Sequence, residues 1–208
     1  MTTTRTEHLA LTDGTELSCT VAEPDNVVRG GVVVLHESTG VTERVRQLIS
    51  ALAWEGWLVA APHLRDPLLS GAAVLADTDA AFVWLSDSGV PVDAQGIVGV
   101  ETGGTAALVV AAHRALGAAV TVGGAGILEP VSAGLPPLVD VAEEVACPWL
   151  GLYGDGDERT PPDHVAKLRE ALARSGTATD VVALPDLEGQ ATGEVWQRVR
   201  NWFDLHLR

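Results

Sequence analysis

The sequence predicts an α/β protein built on a doubly wound, mostly parallel sheet with helices on both faces. Three observations point there. Short β-branched apolar runs recur along the chain, stretches with apolar residues at helical spacing alternate with them, and glycine or proline marks most of the joints. A chain of 208 residues suits one core of ordinary size. No internal repeat or linker divides it, so residues 1–208 read as a single domain.

The clearest strand is Gly31-Val32-Val33-Val34-Leu35, apolar at consecutive positions as a strand covered on both faces should be. The polar break His36-Glu37-Ser38-Thr39-Gly40 separates it from Glu43–Trp54. There Val45, Leu48, Ile49 and Leu52 share one helical face, and Gly56 signals the stop. Residues 57–61 form the next strand, ended by Pro62, and residues 75–86 read as a helix with a less regular apolar stripe. Residues 96–100 are a strand that runs through Glu101-Thr102-Gly103-Gly104 into an Ala- and Val-rich helix over 105–116. Strands follow at 118–122 and 149–153, with a Gly- and Pro-rich loop over 123–137 between them. A helix over 165–174, a strand over 180–184 and an amphipathic helix over 194–207 complete the chain.

Lys and Arg total 13 against 28 Asp and Glu, a formal charge of −15. No basic surface remains to neutralise phosphates, so neither nucleic acid nor an anionic membrane is expected as a partner. Cys19 and Cys147 stand far apart with no metal-like spacing, which reads as reduced buried thiols in a cytoplasmic protein. The opening segment lacks the apolar core of a signal peptide, and no later run is long and apolar enough to span a bilayer. No Gly-x-Gly-x-x-Gly follows the first strand, and Gly123-Gly124-Ala125-Gly126 lacks the Lys-Ser/Thr of a phosphate loop. No cofactor or metal is assigned, and nothing in the sequence reports an oligomeric state.

Three segments, GVVVLHESTG at 31–40, GVETGG at 99–104 and LYGDGDERTPP at 152–162, resemble the dienelactone hydrolase family of α/β-hydrolases. The resemblance covers most of the chain from Gly31 onward. It implies that the first segment is the oxyanion-side loop, the second the nucleophile elbow and the third the carrier of the triad aspartate, Asp157. An elbow works because small flanking residues let the chain turn sharply from strand to helix, exposing one side chain near helix N-terminal amides. The family pattern is Gly-x-Cys/Ser-x-Gly-Gly, and this chain departs from it with Glu101 in the nucleophile position. The triad histidine would fall around residues 184–190, where there is none; Glu188 or Gly189 is the nearest alignment. An aspartate with no histidine to orient has lost its ordinary role, so Cys/Ser-His-Asp hydrolysis is not expected.

Glu37, Glu101, Asp157 and Glu188 are expected at the carboxyl ends of the strands, where an open α/β sheet keeps its ligand crevice. The resemblance places Glu37 near the nucleophile position. Glu37 and Glu101 are then either a close pair, one member titrating high and fit for proton transfer, or two separately solvated loop acids. Glu101, Glu37 and Asp157 are the catalytic candidates, with His36, His63, Thr102, Arg65 and Glu188 as ligand-binding candidates. His36 reads either as a structural imidazole bonded to loop carbonyls or as a pocket residue. Arg65 reads either as the substrate-carboxylate partner that the resemblance implies or as an exposed cation. Ser38 or Thr102 as a replacement nucleophile ranks last, since neither has a histidine at a recognised spacing. Most of the six tryptophans are expected to be structural. Two functions follow. One is a dienelactone hydrolase-like protein acting on a small lactone-, ester- or epoxide-like molecule by acid/base chemistry; the other is a catalytically silent small-molecule-binding or scaffold protein on the same fold.

Overall fold

The computed structural model describes residues 4–37, 39–65, 70–185, 187 and 192–207. Its strands are β1 (Thr4–Ala10), β2 (Glu16–Ala22), β3 (Gly30–Leu35), β4 (Trp57–Pro62), β5 (Gln95–Val100), β6 (Ala118–Val122), β7 (Trp149–Gly154) and β8 (Thr179–Leu184). Its helices are α1 (Glu43–Trp54), α2 (Gly71–Asp87), α3 (Thr102–His113), the single turn α4 (Leu138–Val141), α5 (Pro162–Leu172) and α6 (Thr192–His206). The strands form one sheet in the order β1-β2-β4-β3-β5-β6-β7-β8, with β1 and β2 antiparallel to their neighbours and the rest parallel.

Alternation along the strands divides the core in two. Val33 and Leu35 of β3 point into a layer shared with α2, α3, α4 and α5, while Val32 and Val34 point into one shared with α1 and α6. Both faces are covered, and this is why β3, β4 and β5 are buried at every position. Trp57 and Phe203 meet edge to face at 6.2 Å in the α1/α6 layer, with the Arg29 guanidinium 4.7 Å from the Trp57 ring centroid. Only Trp57 and Trp149 among the tryptophans are fully enclosed, and Trp54 is 67% exposed, so the structural reading holds for part of the set.

Local chemistry sets several boundaries that apolar spacing alone misplaces. Ser70 caps α2 by accepting from the Ala73 N–H at 3.4 Å, which starts the helix four residues ahead of its apolar stripe. Pro162 opens α5, a position where its missing N–H costs nothing. The β1–β2 hairpin has no counterpart in the sequence reading. It turns at Asp13-Gly14, where Gly14 takes φ 81° and the Asp13 carboxylate accepts the Thr15 N–H at 2.9 Å. No helix among the described residues is long and apolar enough to cross a membrane.

The sheet order reverses between β3 and β5: the chain leaves β3 for β4 on one side and returns to β5 on the other. Ligand crevices of open α/β sheets lie at the carboxyl ends of the strands, and here the loops that follow β5, β7 and β8 line one.

Candidate functional site

The site is built on the β5–α3 junction. Gly99 lies against the Gly103 carbonyl, and a Cβ on Gly103 would come within 2.6 Å of the His36 carbonyl oxygen, so only glycine lets α3 start this close to β5 and β3. The turn forces Glu101 to φ 55° and ψ −118°, and it is the non-glycine residue with positive φ among the described residues. Its N–H donates to the Val122 carbonyl at 2.8 Å, which ties the elbow to β6. The conformation is that of a strand-to-helix elbow, with the side chain projected above the sheet.

An arginine meets that side chain. Arg159 Nη1 pairs with Glu101 Oε2, and Arg159 Nη2 pairs with Asp157 Oδ2 at 2.9 Å. Asp157 Oδ1 also accepts the Arg159 backbone N–H at 2.9 Å and its Nε at 3.1 Å. The two carboxylates are mostly enclosed, 14% and 18% exposed, while the guanidinium is half exposed. Hydrogen bonds from Arg159 hold the Asp157 carboxyl below the usual carboxylate range despite its partial burial. The two acids in turn push the Arg159 pKa up, led by the Asp157 bond. Glu101, Asp155, Asp157 and Arg159 line a crevice of about 240 Å³ with Pro185 and Leu187. Gly123, at φ 69°, lies against the Glu101 carboxylate; a Cβ there would sit 3.0 Å from Glu101 Oε1.

The other candidates disperse around this centre. Glu37 lines a separate, much smaller recess with Arg44, Val45, Leu48, Val100 and Trp196, and the group that contacts the Glu101 carboxylate is the Arg159 guanidinium. His36 is buried with both ring nitrogens engaged, Nδ1 with the Glu37 carbonyl at 2.6 Å and Nε2 with the Leu64 N–H at 3.4 Å. The ring thereby ties the loop after β3 to the loop after β4. His63 meets the Thr20 hydroxyl at 2.8 Å, and burial first, then His36 and Arg46, lowers its pKa. Thr102 opens α3 with its hydroxyl enclosed and without a hydrogen-bond partner, beside the elbow.

Arg65 stands outside the Glu101 crevice. Its Nε and backbone N–H donate to the fully buried Asp77 carboxylate at 2.7 and 2.9 Å, and Nη1 reaches Thr15 at 3.2 Å, fastening α2 to the β1–β2 hairpin. Glu188, Gly189 and Ser38 lie outside the described residues. Among the described residues no group of three His, Cys, Asp or Glu is placed to hold a metal ion.

Arg159 is the site residue that the sequence reading missed. It stands in the quoted LYGDGDERTPP segment as the one cation after three acids, Asp155, Asp157 and Glu158, and that isolation is the signal that could have found it.

The comparisons with known proteins give the family and the fold. A model of the dienelactone hydrolase family matches residues 66–207, more than half of the chain. This chain belongs to the dienelactone hydrolase family. Two relatives carry the name "Putative carboxymethylenebutenolidase". The one from Escherichia coli (strain K12) is 30% identical over 204 residues, covering 83% of this chain and 75% of the relative. The one from Salmonella typhimurium is 32% identical over 209 residues, covering 83% and 76%. A crystal structure of "Putative Dienelactone Hydrolase" from Klebsiella pneumoniae superimposes with a TM-score of 0.86 at 28% identity, covering 97% of this chain and 99% of that one. A Pyrococcus furiosus esterase, at 17% identity and a TM-score of 0.83 over 100% and 92% of the two chains, shows the shared fold alone. Within the family, this chain carries a glutamate on its elbow and an arginine between that glutamate and Asp157.

Proposed function

We propose that this family member binds a small lactone- or ester-like molecule in the crevice over Glu101 and does not hydrolyse it by triad chemistry. The observation that carries the reading is the Arg159 guanidinium held between the carboxylates of Glu101 and Asp157. In a nucleophile–base–acid relay the middle group takes a proton from the nucleophile and is oriented by the acid. A guanidinium cannot take that proton, and its two acidic neighbours make it a weaker acid still. A water or hydroxyl in the crevice would meet no imidazole to activate it, and attack by the Glu101 carboxylate would break its ion pair. The relatives' name, carboxymethylenebutenolidase, supports a lactone bearing a carboxylate as the ligand class. Arg159, half exposed on the crevice, is the residue to receive that carboxylate.

One observation favours a second reading, acid/base action on a lactone, ester or epoxide: Glu101 and Asp157 line the same crevice, so a ligand there would meet two carboxylates. Turnover of an aryl acetate and of a butenolide carboxylate, measured against buffer alone, separates the two. The binding reading expects no turnover above buffer. It also expects the butenolide carboxylate to raise the melting temperature of the wild type, and to do so less in Arg159→Gln. Turnover that disappears in Glu101→Gln would replace it with the acid/base reading. Turnover that persists in that variant would also overturn it and move the chemistry elsewhere.

A further inference from the structure

A second crevice, of about 140 Å³, lies between the end of β7, β8 and the first half of α5. Its wall includes Tyr153 and Thr160, respectively 1% and 2% exposed, and neither hydroxyl has a hydrogen-bond partner. The other buried threonines, Thr20, Thr78, Thr105 and Thr121, are all hydrogen-bonded, so Thr160 is the exception among them. Native chains pair nearly every enclosed hydroxyl, and two residues with unpaired hydroxyls in one crevice wall mark a place where a polar group completes the structure.

We infer that this crevice is a binding site for a short uncharged molecule carrying an amide or a pair of hydroxyls. Its size sets the first limit: a space of about 140 Å³ is on the order of one that takes a single six-membered ring. Hydrogen-bonding capacity sets the second. Burial pushes the Tyr153 phenol up, so it stays neutral, and with the Thr160 hydroxyl it both donates and accepts. An amide or a diol matches that double capacity. Charge sets the third. Arg169 and Asp155 line the crevice with one charge of each sign; the guanidinium already gives Nη2 to the Val181 carbonyl at 2.8 Å. The two charges offset each other and the guanidinium is already engaged, so a net anion gains little by entering. Gly154 and Asp155 also wall the Glu101 crevice, and Thr160 ends the turn that carries Asp157 and Arg159. A ligand on Thr160 would therefore brace the turn that presents Arg159.

Tyr153 is the chain's single tyrosine, which gives a direct readout in the wild-type protein. Ring-¹³C tyrosine yields one residue's signals, followed during titration with propionamide, 1,2-propanediol and propionate. The proposal expects a saturable shift with the amide or the diol, and an affinity for propionate weaker by about tenfold or more. Thr160→Val should weaken the amide or diol by about fivefold, and Thr160→Ser should restore it; both are read at the unchanged Tyr153. No saturable shift with either uncharged probe would mean that the crevice takes water only and would overturn the proposal. Tighter binding of propionate would overturn the uncharged class. The wild-type titration decides the matter even if a Thr160 variant fails to fold.

Discussion

Glu101 holds a backbone conformation that disfavours any side chain, at a cost of about 1–3 kcal/mol for a non-glycine residue. Its N–H bond to Val122 and its pairing with Arg159 offset that cost. Comparing Glu101→Gly with Glu101→Ala separates strain from pairing, because both remove the carboxylate and only glycine relaxes the backbone. The glycine variant should be more stable by about 1 kcal/mol in urea unfolding; equal stabilities would mean that the elbow is unstrained. Arg159 sets a pH dependence. Its hydrogen bonds lower the folded-state pKa of Asp157, so that stabilisation is present above the unfolded value of about 3.9 and is lost as pH falls through the folded value. Arg159→Gln should therefore cost about 1 kcal/mol at neutral pH, modest because the guanidinium is half exposed. The deficit should shrink below about pH 4, which urea melts of both proteins at pH 7 and pH 3 would check.

The β5–α3 junction depends on atoms that are not there. Gly99→Ala would drive a methyl into the Gly103 carbonyl, which is backbone and cannot swing aside. A loss of about 3 kcal/mol or more is expected, with separation of α3 from β5; a chemical melt within about 0.5 kcal/mol of wild type would show that the junction yields. The glycine spacing was legible because glycine is the one residue whose absence of side chain is itself a structural signal. The β1–β2 hairpin was not read, although Asp13-Gly14 is a strong turn pair and Leu17, Cys19 and Val21 alternate in β2. Its outer strand β1 is largely exposed at the sheet edge, so its apolar pattern is too thin to stand out. Helix α2 shows a different failure. Asp77 looks like a polar interruption of a core-facing stretch, and only its pairing with Arg65, from the loop after β4, makes its burial tolerable.

At the scale of the whole molecule, charge and thiols behave simply. A net charge of −15 on one compact chain makes self-repulsion a general destabilising term, which salt screens. The melting temperature should rise as sodium chloride increases from about 10 mM to about 300 mM, where the Debye length falls from roughly 30 Å to below 10 Å; a flat or falling melting temperature would show that local ion pairs outweigh the net repulsion. Cys19 and Cys147 are enclosed, and burial pushes both thiols up to about 12. A thiol reagent at pH 8 should label neither in the folded protein and both in urea, so rapid native labelling would contradict their burial.

Local rules are enough to read the parallel sheet, most of the helices, the elbow with Glu101 at its tip and Asp157 on the turn after β7, because glycine spacing, apolar period and a family-like motif all act within a few residues of one another. The company of Glu101 could not be read that way. The family resemblance offered Glu37 either as its close partner or as a separately solvated acid, yet the guanidinium of Arg159, 58 positions downstream, is what reaches it. Nor could local rules tell whether Arg65 faces a ligand or the Asp77 carboxylate enclosed by α2 and its neighbours. In both cases the deciding quantity is electrostatic, the pairing of a partly enclosed carboxylate with whichever cation the fold brings within bonding distance. That pairing exists only once the strands are in register and the loops at their carboxyl ends have met.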